Sequence, residues 1–371
     1  MKVIIAAAGT GGHINPGIAI AGIIEKNYPN SDIRFIATGK KLEEDLISKA
    51  GYKSYAINAY GFSKSISINN IKRIIKTIKG FSEAKKILMD FKPDLVIGTG
   101  GYICGAVISS AHKLKIPTLL HESNAYPGLA IKLLSKKANT ILLGIEEAKN
   151  NLPKANRVVY TGTPTKVKPI KIDTKKKTSI LKEINADNDL PKVLVFGGSQ
   201  GAKRINDCLI DIIKNKYNDK YHIIWSTGSE QYDIIKKDLK ESKINIEKVK
   251  NASILPYIYN MNEIMSISDL VVARSGALTL TELALLGKPA IFIPLPSSTA
   301  NRQEDNARVF EKKGAAKIIL NNDVTSDKLN NMINDIISNK TELDKMSSAS
   351  KSLAVYDVED RILNEIKRLV G

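Results

Sequence analysis

Short runs of β-branched and other apolar residues alternate along the chain with longer stretches in which apolar positions recur at helical spacing. Strands that alternate with helices of about ten to twenty residues are typical of parallel sheets joined by crossover helices. The pattern therefore predicts an α/β protein with two doubly wound parallel sheets. The predicted strands are Lys2–Ala8, Ile33–Ala37, Leu95–Ile97, Thr118–Leu120, Thr140–Leu142 and Val158–Tyr160 in the first half, and Val193–Phe196, His222–Trp225, Ile246–Val249, Leu270–Val272 and Ala290–Ile293 in the second.

A polar segment separates the two series of strands. Pro164–Pro191 is rich in Lys, Asp, Asn and Thr, which is typical of a linker. The 371 residues exceed the ~250–300 at which a single hydrophobic core stops growing. We therefore predict an N-terminal domain over 1–164, a C-terminal domain over 165–354, and a final helix over 355–371 that packs back on the N-terminal domain. Two doubly wound domains imply a cleft, with ligands outside the carboxyl ends of the strands.

Composition excludes several classes of protein. Hydrophobic residues make up 43% and charged residues 25% of the chain, as in soluble globular proteins. No apolar run approaches the ~20 residues that span a bilayer, and Met1 and Lys2 lead directly into a strand instead of a signal peptide. Cys104 and Cys208 are too few for a disulfide framework, which favours a cytosolic chain.

The positive charge of the chain is concentrated in its first half. The net charge is +18, and residues 1–164 contain 23 basic and 11 acidic residues, a net charge of +12. Such an excess favours an anionic partner, which could be nucleic acid, membrane lipid or a phosphorylated substrate. The alternative is a lysine-rich chain whose lysines are simply solvated.

Three glycine-rich loops each follow a predicted strand and precede a helix: Gly9–His13, Gly98–Tyr102 and Gly197–Gly201. Glycine permits positive φ and lets backbone N–H groups approach an anion, and the helix N-terminus adds partial positive charge. The loops therefore predict binding of a phosphate or an acceptor. A nicotinamide cofactor is disfavoured, because Ile14 and Ile103 stand at the third glycine position of its fingerprint.

A second cluster of candidate residues lies in the C-terminal half. The small residues of Ala273–Ala277 precede a predicted helix, Leu278–Leu286, and would allow close approach of a diphosphate. Glu282, in that helix, could accept hydrogen bonds from the two hydroxyls of a ribose. Gln303 and Asn306 share a helical face, where neutral amides would suit sugar hydroxyls or would simply be solvated.

Histidine is the candidate for acid–base chemistry. His13 closes the first glycine loop at a helix N-terminus, where a neutral imidazole can act as general base. His121–Asn124 is a polar cluster that follows a strand and is expected to face the cleft. No metal site is predicted, because the histidines and cysteines lack ligand spacing, and Asp187 and Asp189 lie in a solvated turn.

These motifs resemble those of the MurG family of GT-B glycosyltransferases, and they occur in the family's order along the whole chain. The matching stretches are GTGGHINP (Gly9–Pro16), GTGGYICG (Gly98–Gly105), HESNAYPGLA (His121–Ala130), GTPTK (Gly162–Lys166), GGSQGA (Gly197–Ala202), RSGALTLTE (Arg274–Glu282) and RQEDNA (Arg302–Ala307).

The resemblance implies a GT-B fold, with two Rossmann-like domains facing across a cleft. It also implies an inverting, metal-independent hexosyltransferase that needs no cofactor. N-acetylglucosamine would move from UDP-N-acetylglucosamine to the 4-hydroxyl of the muramoyl sugar of lipid I, giving lipid II and UDP for peptidoglycan synthesis. The implied location is the cytoplasmic side of the cell membrane, as a peripheral protein without a nucleic-acid partner. The oligomeric state stays open.

The resemblance also assigns roles to individual residues. His13 would be the catalytic base, and Gly100, Gly101 and Tyr102 would form the acceptor or diphosphate loop. The residues assigned to UDP-N-acetylglucosamine are Thr10, Gly11, Gly12, Asn124, Lys166, Ser199, Ile258, Ala277, Leu278, Thr279, Leu280, Thr281, Glu282 and Gln303. This chain departs from the family at Lys166, where arginine is common, and at Thr163, where asparagine is common.

A basic amphipathic helix is predicted over Ile68–Leu88. Its apolar positions recur at helical spacing and are flanked by cations, which suits anionic lipid headgroups; the alternative is a core-facing helix with a solvated basic side. The residues assigned to the membrane are Ile71, Lys72, Ile75, Ile78 and Lys79.

Three alternative functions remain open at this point. A UDP-N-acetylglucosamine epimerase would share the architecture and the donor but would form UDP-N-acetylmannosamine. A non-catalytic membrane scaffold would bind UDP without turnover. A related transferase would differ only in its lipid acceptor, for example diacylglycerol.

Overall fold

The computed structural model describes residues 1–58, 68–198, 201–296 and 301–371, and over 68–78 it describes the backbone alone. The chain divides into two compact units. The first unit contains Met1–Lys166 together with Val355–Gly371, and the second contains Val167–Ala354. The final helix therefore belongs to the first unit.

The first unit is built around a parallel sheet that has seven strands in the described part of the chain. Their order across the sheet is β3-β2-β1-β4-β5-β6-β7. The strands are β1 (Lys2–Ala7), β2 (Asp32–Ala37), β3 (Lys53–Ala56), β4 (Leu95–Gly100), β5 (Thr118–Glu122), β6 (Thr140–Leu143) and β7 (Val158–Tyr160). The helices are α1 (Gly11–Asn27), α2 (Lys41–Lys49), α3 (Ile68–Phe91), α4 (Ile103–Lys113) and α5 (Leu129–Leu134), with a 3-10 helix at Glu146–Asn151.

The second unit repeats this architecture with six strands among its described residues, in the order β10-β9-β8-β11-β12-β13. The strands are β8 (Lys192–Phe196), β9 (His222–Ser226), β10 (Ala252–Leu255), β11 (Leu270–Ala273), β12 (Ala290–Phe292) and β13 (Ala316–Ile318). The helices are α6 (Thr174–Glu183), α7 (Lys203–Lys214), α8 (Ser229–Glu241), α9 (Met261–Ile267), α10 (Ala277–Leu286), α11 (Arg302–Lys312), α12 (Ser326–Ile337) and α13 (Lys340–Ser352), with a 3-10 helix at Ile246–Lys248.

Central strands of both sheets are apolar on both faces, because helices cover each side. Ile4 and Ile5 of β1 point to opposite faces and are both fully buried, and so are Val193 and Leu194 of β8. Such continuous apolar runs made these strands predictable from the sequence.

The C-terminal helix α14 (Val358–Val370) packs against α1 in the first unit. Ile362 and Ile366 are fully buried on its inner face. Glu365, on the same helix, accepts two hydrogen bonds from the guanidinium of Arg157, at 2.6 and 2.9 Å. This pairing lowers the pKa of the Glu365 carboxyl and ties α14 to the residue that immediately precedes β7.

Three predictions about secondary structure were wrong. Ile246–Val249 is not a strand: Ile246–Lys248 is a 3-10 helix, which begins where the Asn245 side chain accepts a hydrogen bond from the Glu247 N–H. The predicted linker contains α6, whose N-cap Asp173 accepts from the Lys176 N–H. The edge strands β3, β10 and β13 were missed: β3 and β13 are short and largely lack the apolar run of a central strand, and β10 begins at Ala252, beyond the segment predicted as a strand.

No helix in the described ranges is both long and apolar enough to cross a membrane.

Candidate active site

The glycine-rich segments stand at the carboxyl ends of the strands at which each sheet reverses its winding direction, and Gly98 to Gly100 are the last residues of β4 itself. In the first sheet these strands are β1 and β4, and in the second they are β8 and β11. Loops after such neighbouring strands diverge to opposite faces and leave a crevice, where doubly wound proteins bind ligands. The predicted site residues near Gly9, Gly100, Gly198 and Gly276 therefore lie at the two places that the topology favours.

The first glycine loop presents the N-terminus of α1. Gly9 has φ +102° and turns the chain out of β1, and Thr10 is the extended N-cap residue. The backbone N–H groups of Gly11 and Gly12 belong to the first turn of α1, which has no intrahelical acceptors for them. Because Thr10 and Gly12 are exposed, this turn can donate to an anionic or hydroxyl ligand.

His13 is held against the second glycine loop. The Thr99 hydroxyl donates a hydrogen bond to the His13 carbonyl oxygen at 2.7 Å. A Cβ on Gly100 would lie 2.2 Å from His13 Nδ1, and a Cβ on Gly101 would lie 2.6 Å from the Ala8 carbonyl oxygen. Both positions therefore require glycine, and the imidazole is placed beside the loop that ends in the exposed side chain of Tyr102.

The polar cluster His121–Asn124 begins inside β5, whose last two residues are His121 and Glu122, and its first three residues are buried, contrary to the prediction that the cluster follows the strand and faces a cleft. The fully buried His121 ring has Nδ1 3.3 Å from the Ser123 hydroxyl and Nε2 3.4 Å from the Gly162 carbonyl. The Glu122 carboxylate accepts from the Asn124 backbone N–H and side-chain amide, both at 2.9 Å, and from the Gly128 N–H at 2.7 Å. Within His121–Asn124, only Asn124 is partly exposed. The hydrogen bonds to Glu122 set the orientation of its side chain.

Acidification should destabilise the first unit through His121. Burial lowers the pKa of this imidazole to about 4, and the nearby His13 acts in the same direction. The unfolded chain, with a histidine pKa of ~6.5, binds the proton more tightly. Stability is therefore complete above about pH 6.5 and is lost as the pH falls toward 4, by about 2 kcal/mol at pH 5 relative to pH 8. Urea unfolding at both pH values should show a smaller pH effect for His121→Gln than for the wild type; an equal effect would contradict the assignment.

In the second unit, a buried network joins the loop after β11 to α11. The fully buried Ser275 hydroxyl donates to the Gln303 carbonyl at 2.7 Å, and the Asn306 side-chain amide donates to the Ser275 carbonyl at 3.2 Å. The Gln303 side-chain oxygen accepts from the Leu295 N–H at 2.9 Å. Asn306 is fully buried, so the prediction that it shares a sugar-binding face with Gln303 was wrong, while Gln303 stays partly exposed.

Arg274, the first residue of the RSGALTLTE motif, supports the neighbouring loop. Its Nη1 donates to the carbonyl oxygens of Ile293 and Pro294, at 2.8 and 3.1 Å, and to Asn321 Oδ1 at 2.9 Å. No local sequence pattern reveals this role, because the three acceptors lie 19 to 47 residues further along the chain.

The N-terminus of α10 is the second candidate anion site. The helix begins at Ala277 after Gly276, and Ala277, Leu278, Thr279 and Glu282 are all partly exposed. Leu280 is buried in the core, so this residue can offer a ligand only its backbone. The Thr281 hydroxyl already donates to the Ala277 carbonyl at 3.1 Å.

The remaining predicted residues are dispersed. Ile258 is buried in the loop after β10, between the exposed rings of Tyr257 and Tyr259, whose centroids are 4.9 Å apart. Lys166 is exposed, and it is the last residue of Met1–Lys166, the first of the two segments that form the first unit. Ser199 lies outside the described residues.

The structure describes only part of the predicted membrane helix. Lys79 is exposed, with its Nζ 3.9 Å from a Glu83 carboxylate oxygen. Ala84, Leu88 and Phe91 are buried, so the end of α3 is an ordinary packing surface. The side chains of Ile71, Lys72, Ile75 and Ile78 lie outside the described residues.

The described ranges contain no group of three or more His, Cys, Asp or Glu side chains that could hold a metal ion.

Comparison with known proteins identifies the family. Residues 3–143 match the family model of the glycosyltransferase family 28 N-terminal domain, and residues 192–362 match that of the C-terminal domain. The chain is 40% identical over 371 residues to the UDP-N-acetylglucosamine–N-acetylmuramyl-(pentapeptide) pyrophosphoryl-undecaprenol N-acetylglucosamine transferase of Acetivibrio thermocellus, covering 100% of this chain and 98% of the relative. The chain belongs to the MurG family of glycosyltransferase family 28. The family resemblance predicted from the motifs is thus confirmed.

Solved structures agree with the MurG family assignment. The crystal structure of Acinetobacter baumannii MurG is 27% identical, with a TM-score of 0.76, and covers 99% of this chain and 100% of that one. The UDP-N-acetylglucosamine 2-epimerase of Neisseria meningitidis has a TM-score of 0.67 at 18% identity, over 99% of this chain and 100% of the epimerase chain. The epimerase likeness shows the shared fold alone. The predicted fold class, two doubly wound GT-B domains, is confirmed.

Proposed function

We propose that this MurG family member transfers N-acetylglucosamine from UDP-N-acetylglucosamine to the 4-hydroxyl of the muramoyl sugar of lipid I, with inversion and without a metal ion. The observation that carries the proposal is the 40% identity, over 100% of this chain and 98% of the relative, to a protein named as that transferase. The glycine loops and helix N-termini at both switch points supply the donors that such a reaction needs.

The donor side of the proposal rests mainly on the second unit, together with Lys166, the last residue of the N-terminal segment of the first unit. Charge develops on the diphosphate as UDP leaves, and oriented backbone N–H groups stabilise such charge without reorganisation. The first turn of α10, from Ala277 to Thr279, offers such groups. Lys166 and Ser199 complete the diphosphate site, Glu282 holds the ribose hydroxyls, Ile258 offers its backbone to uracil, and Gln303 contacts the sugar.

The acceptor side rests on the first unit. The loop from Gly100 to Tyr102 holds the acceptor or its diphosphate, while Thr10, the N–H groups of Gly11 and Gly12, and Asn124 contact UDP-N-acetylglucosamine. His13 takes the proton from the acceptor hydroxyl as its oxygen attacks the anomeric carbon and the bond to UDP breaks. Attack from the side opposite to UDP inverts the anomeric centre.

The direct test is incubation of the protein with labelled UDP-N-acetylglucosamine and a lipid I analogue, with and without EDTA. We expect a labelled disaccharide lipid and free UDP in equal amounts, at a rate that the chelator does not change. Activity that vanishes with EDTA and returns with magnesium would contradict metal independence and direct attention to Asp187 and Asp189. Formation of UDP-N-acetylmannosamine would support an epimerase, and UDP binding without turnover a scaffold.

Glu282→Ala should weaken UDP binding by ~1–3 kcal/mol, since hydrogen bonds to a charged group have that magnitude. Calorimetric titration with UDP measures the change. Glu263→Ala is a control, because this carboxylate lies on α9 and pairs with Lys176 within the same unit. An unchanged dissociation constant for the Glu282 variant would remove the ribose role.

We also propose that the protein binds the cytoplasmic face of the membrane through α3. The proposal joins the apolar spacing of Ile71, Ile75 and Ile78 with the neighbouring cations Lys72 and Lys79. Replacing Ile75 and Ile78 by serine should lower binding to anionic vesicles ~10-fold or more, given ~0.8 kcal/mol per buried CH₂, while UDP affinity is retained. Vesicle binding equal to that of the wild type would place the docking surface elsewhere, and an unfolded double variant would indicate a core-facing stripe.

A further inference from the structure

A buried carboxylate holds the loop that carries His13. Glu43 lies in the first turn of α2 and is fully buried. Its Oε1 accepts a hydrogen bond from the Gly9 N–H at 2.8 Å. Its Oε2 accepts two more, from the Thr38 N–H and the Thr38 hydroxyl, both at 2.7 Å. One side chain therefore ties the loop after β1 to the loop after β2.

The three donors require a carboxylate and not merely a side chain of that size. Donors approach both oxygens, and an ionised carboxylate accepts at both. A glutamine has one oxygen, so its NH₂ group would have to face either the Gly9 N–H or the Thr38 N–H. Both are donors as well, and a buried donor turned toward another donor leaves both unsatisfied. The charge also shortens and strengthens each hydrogen bond.

The restraint acts on the geometry of His13. Gly9 has φ +102° and is the last residue before Thr10, the N-cap of α1. A hydrogen bond that holds the Gly9 N–H therefore also holds the first turn of α1 in place. On its other side the same segment is held by the Thr99 hydroxyl and packs on Gly100. Glu43 thus holds the Gly9–His13 loop at its Gly9 end, whereas Thr99 of the second glycine-rich segment holds it at His13.

We propose that Glu43 is a positioning residue for the transfer reaction, which fixes the Gly9–His13 loop so that the imidazole and the first N–H groups of α1 keep their productive placement. The proposal rests on the proposed function for its kinetic readout. A misplacement of about 1 Å in a catalytic group can reduce turnover ~100-fold, so the support of the loop is expected to appear in kcat.

The test compares Glu43→Gln with Glu44→Gln, its matched control. Glu44 is the next residue of the same helical turn and is exposed, so its variant makes the same change of charge without touching the loop. We expect kcat for transfer to a lipid I analogue to fall ~10–100-fold in Glu43→Gln, with the dissociation constant for UDP within about twofold. Glu44→Gln should keep kcat within about twofold.

A double-mutant cycle separates positioning from general destabilisation. If Glu43 acts through His13, then Glu43→Gln in a His13→Ala background should lower kcat less than threefold further, because coupled residues are not additive. If Glu43 had a purely structural role, the fold-losses of kcat in Glu43→Gln and in His13→Ala would multiply in the double variant. Wild-type kcat in Glu43→Gln, multiplied losses, or a parallel loss of UDP affinity would each overturn the proposal.

Two further measurements keep the proposal testable if Glu43→Gln does not fold or if the wild type shows no transferase activity. If Glu43→Gln does not fold, Glu43→Asp keeps the charge on a shorter side chain and should show the same loss of kcat with intact UDP affinity; wild-type kcat there would overturn the proposal. If the wild type proves to have no transferase activity, the proposed function fails, whereas the restraint is still tested by hydrogen exchange. Amide exchange in a peptide covering residues 8–14 should be at least ~10-fold faster in Glu43→Gln than in Glu44→Gln, and equal exchange would refute the restraint.

Discussion

Replacing His13 by alanine should lower the turnover of N-acetylglucosamine transfer by ~10²–10⁴-fold, the range typical of a lost general base. The acceptor hydroxyl is a weak nucleophile until its proton is removed, and in the proposed mechanism the imidazole is the group that removes it. UDP affinity should change little, because none of the proposed contacts to uracil, ribose or diphosphate is made by the His13 imidazole. Steady-state kinetics with a lipid I analogue and calorimetry with UDP measure the two quantities separately.

A variant that keeps the imidazole but displaces it provides the matched comparison. A Cβ at Gly100 would lie 2.2 Å from His13 Nδ1, so Gly100→Ala must push the ring out of place. We expect this variant to lose turnover as well, although its histidine can still bind a proton. Near-normal turnover in His13→Ala together with a raised acceptor KM would contradict the base and make His13 a residue that only positions the acceptor.

The central part of the fold was predictable because its signals are local. Apolar runs such as Val3–Ala7 and Val193–Val195 are buried on both faces, and a glycine loop follows each of them. The alternation of strand and helix then places those loops at the carboxyl edge of a parallel sheet, without knowledge of any long-range contact. This is why the loops near Gly9 and Gly198 were located correctly.

Edge strands and supporting residues were not predictable in the same way. The β3 segment Lys53–Ala56 is largely exposed, and it is a strand only because β2 supplies a partner. Glu43 looks like one of three adjacent acidic residues on a solvated helix, although its spacing of four from the buried Ile47 was a usable signal. Polar residues that bind distant backbone groups carry no local pattern that reveals their partners.

The RSGALTLTE motif illustrates how a ligand motif also contains residues that act inside the protein. Its sequence suggested that the small residues near Ser275 would approach a diphosphate. In the structure the Ser275 hydroxyl is turned inward to the Gln303 carbonyl, and Leu280 points into the core. The partly exposed residues Gly276 to Thr279 and Glu282 are therefore the part of the motif that a ligand can reach.

Arg274→Met should lower the free energy of unfolding of the second unit by about 3 kcal/mol. Three acceptors converge on Arg274 Nη1, and each buried acceptor left unpaired costs ~1–3 kcal/mol, reduced here because the site is only partly buried. Two of these acceptors are the carbonyls of Ile293 and Pro294, so the loop that carries the Leu295 N–H would lose its support. The Gln303 side chain, which accepts from that N–H, would lose its fixed orientation as well.

The single tryptophan of the chain makes this prediction measurable. Trp225 is fully buried in the second unit and donates to Asn206 Oδ1 at 3.1 Å, so its fluorescence during urea unfolding reports on that unit. The control is Arg308→Met, because Arg308 forms only exposed ion pairs with Glu304 and Glu311 on α11, and such pairs contribute less than about 1 kcal/mol. The Arg274 variant should unfold at clearly lower urea with an unchanged slope. Equal midpoints for the two variants would show that the Arg274 hydrogen bonds do not stabilise the loop, and the orientation of Gln303 would then need another cause.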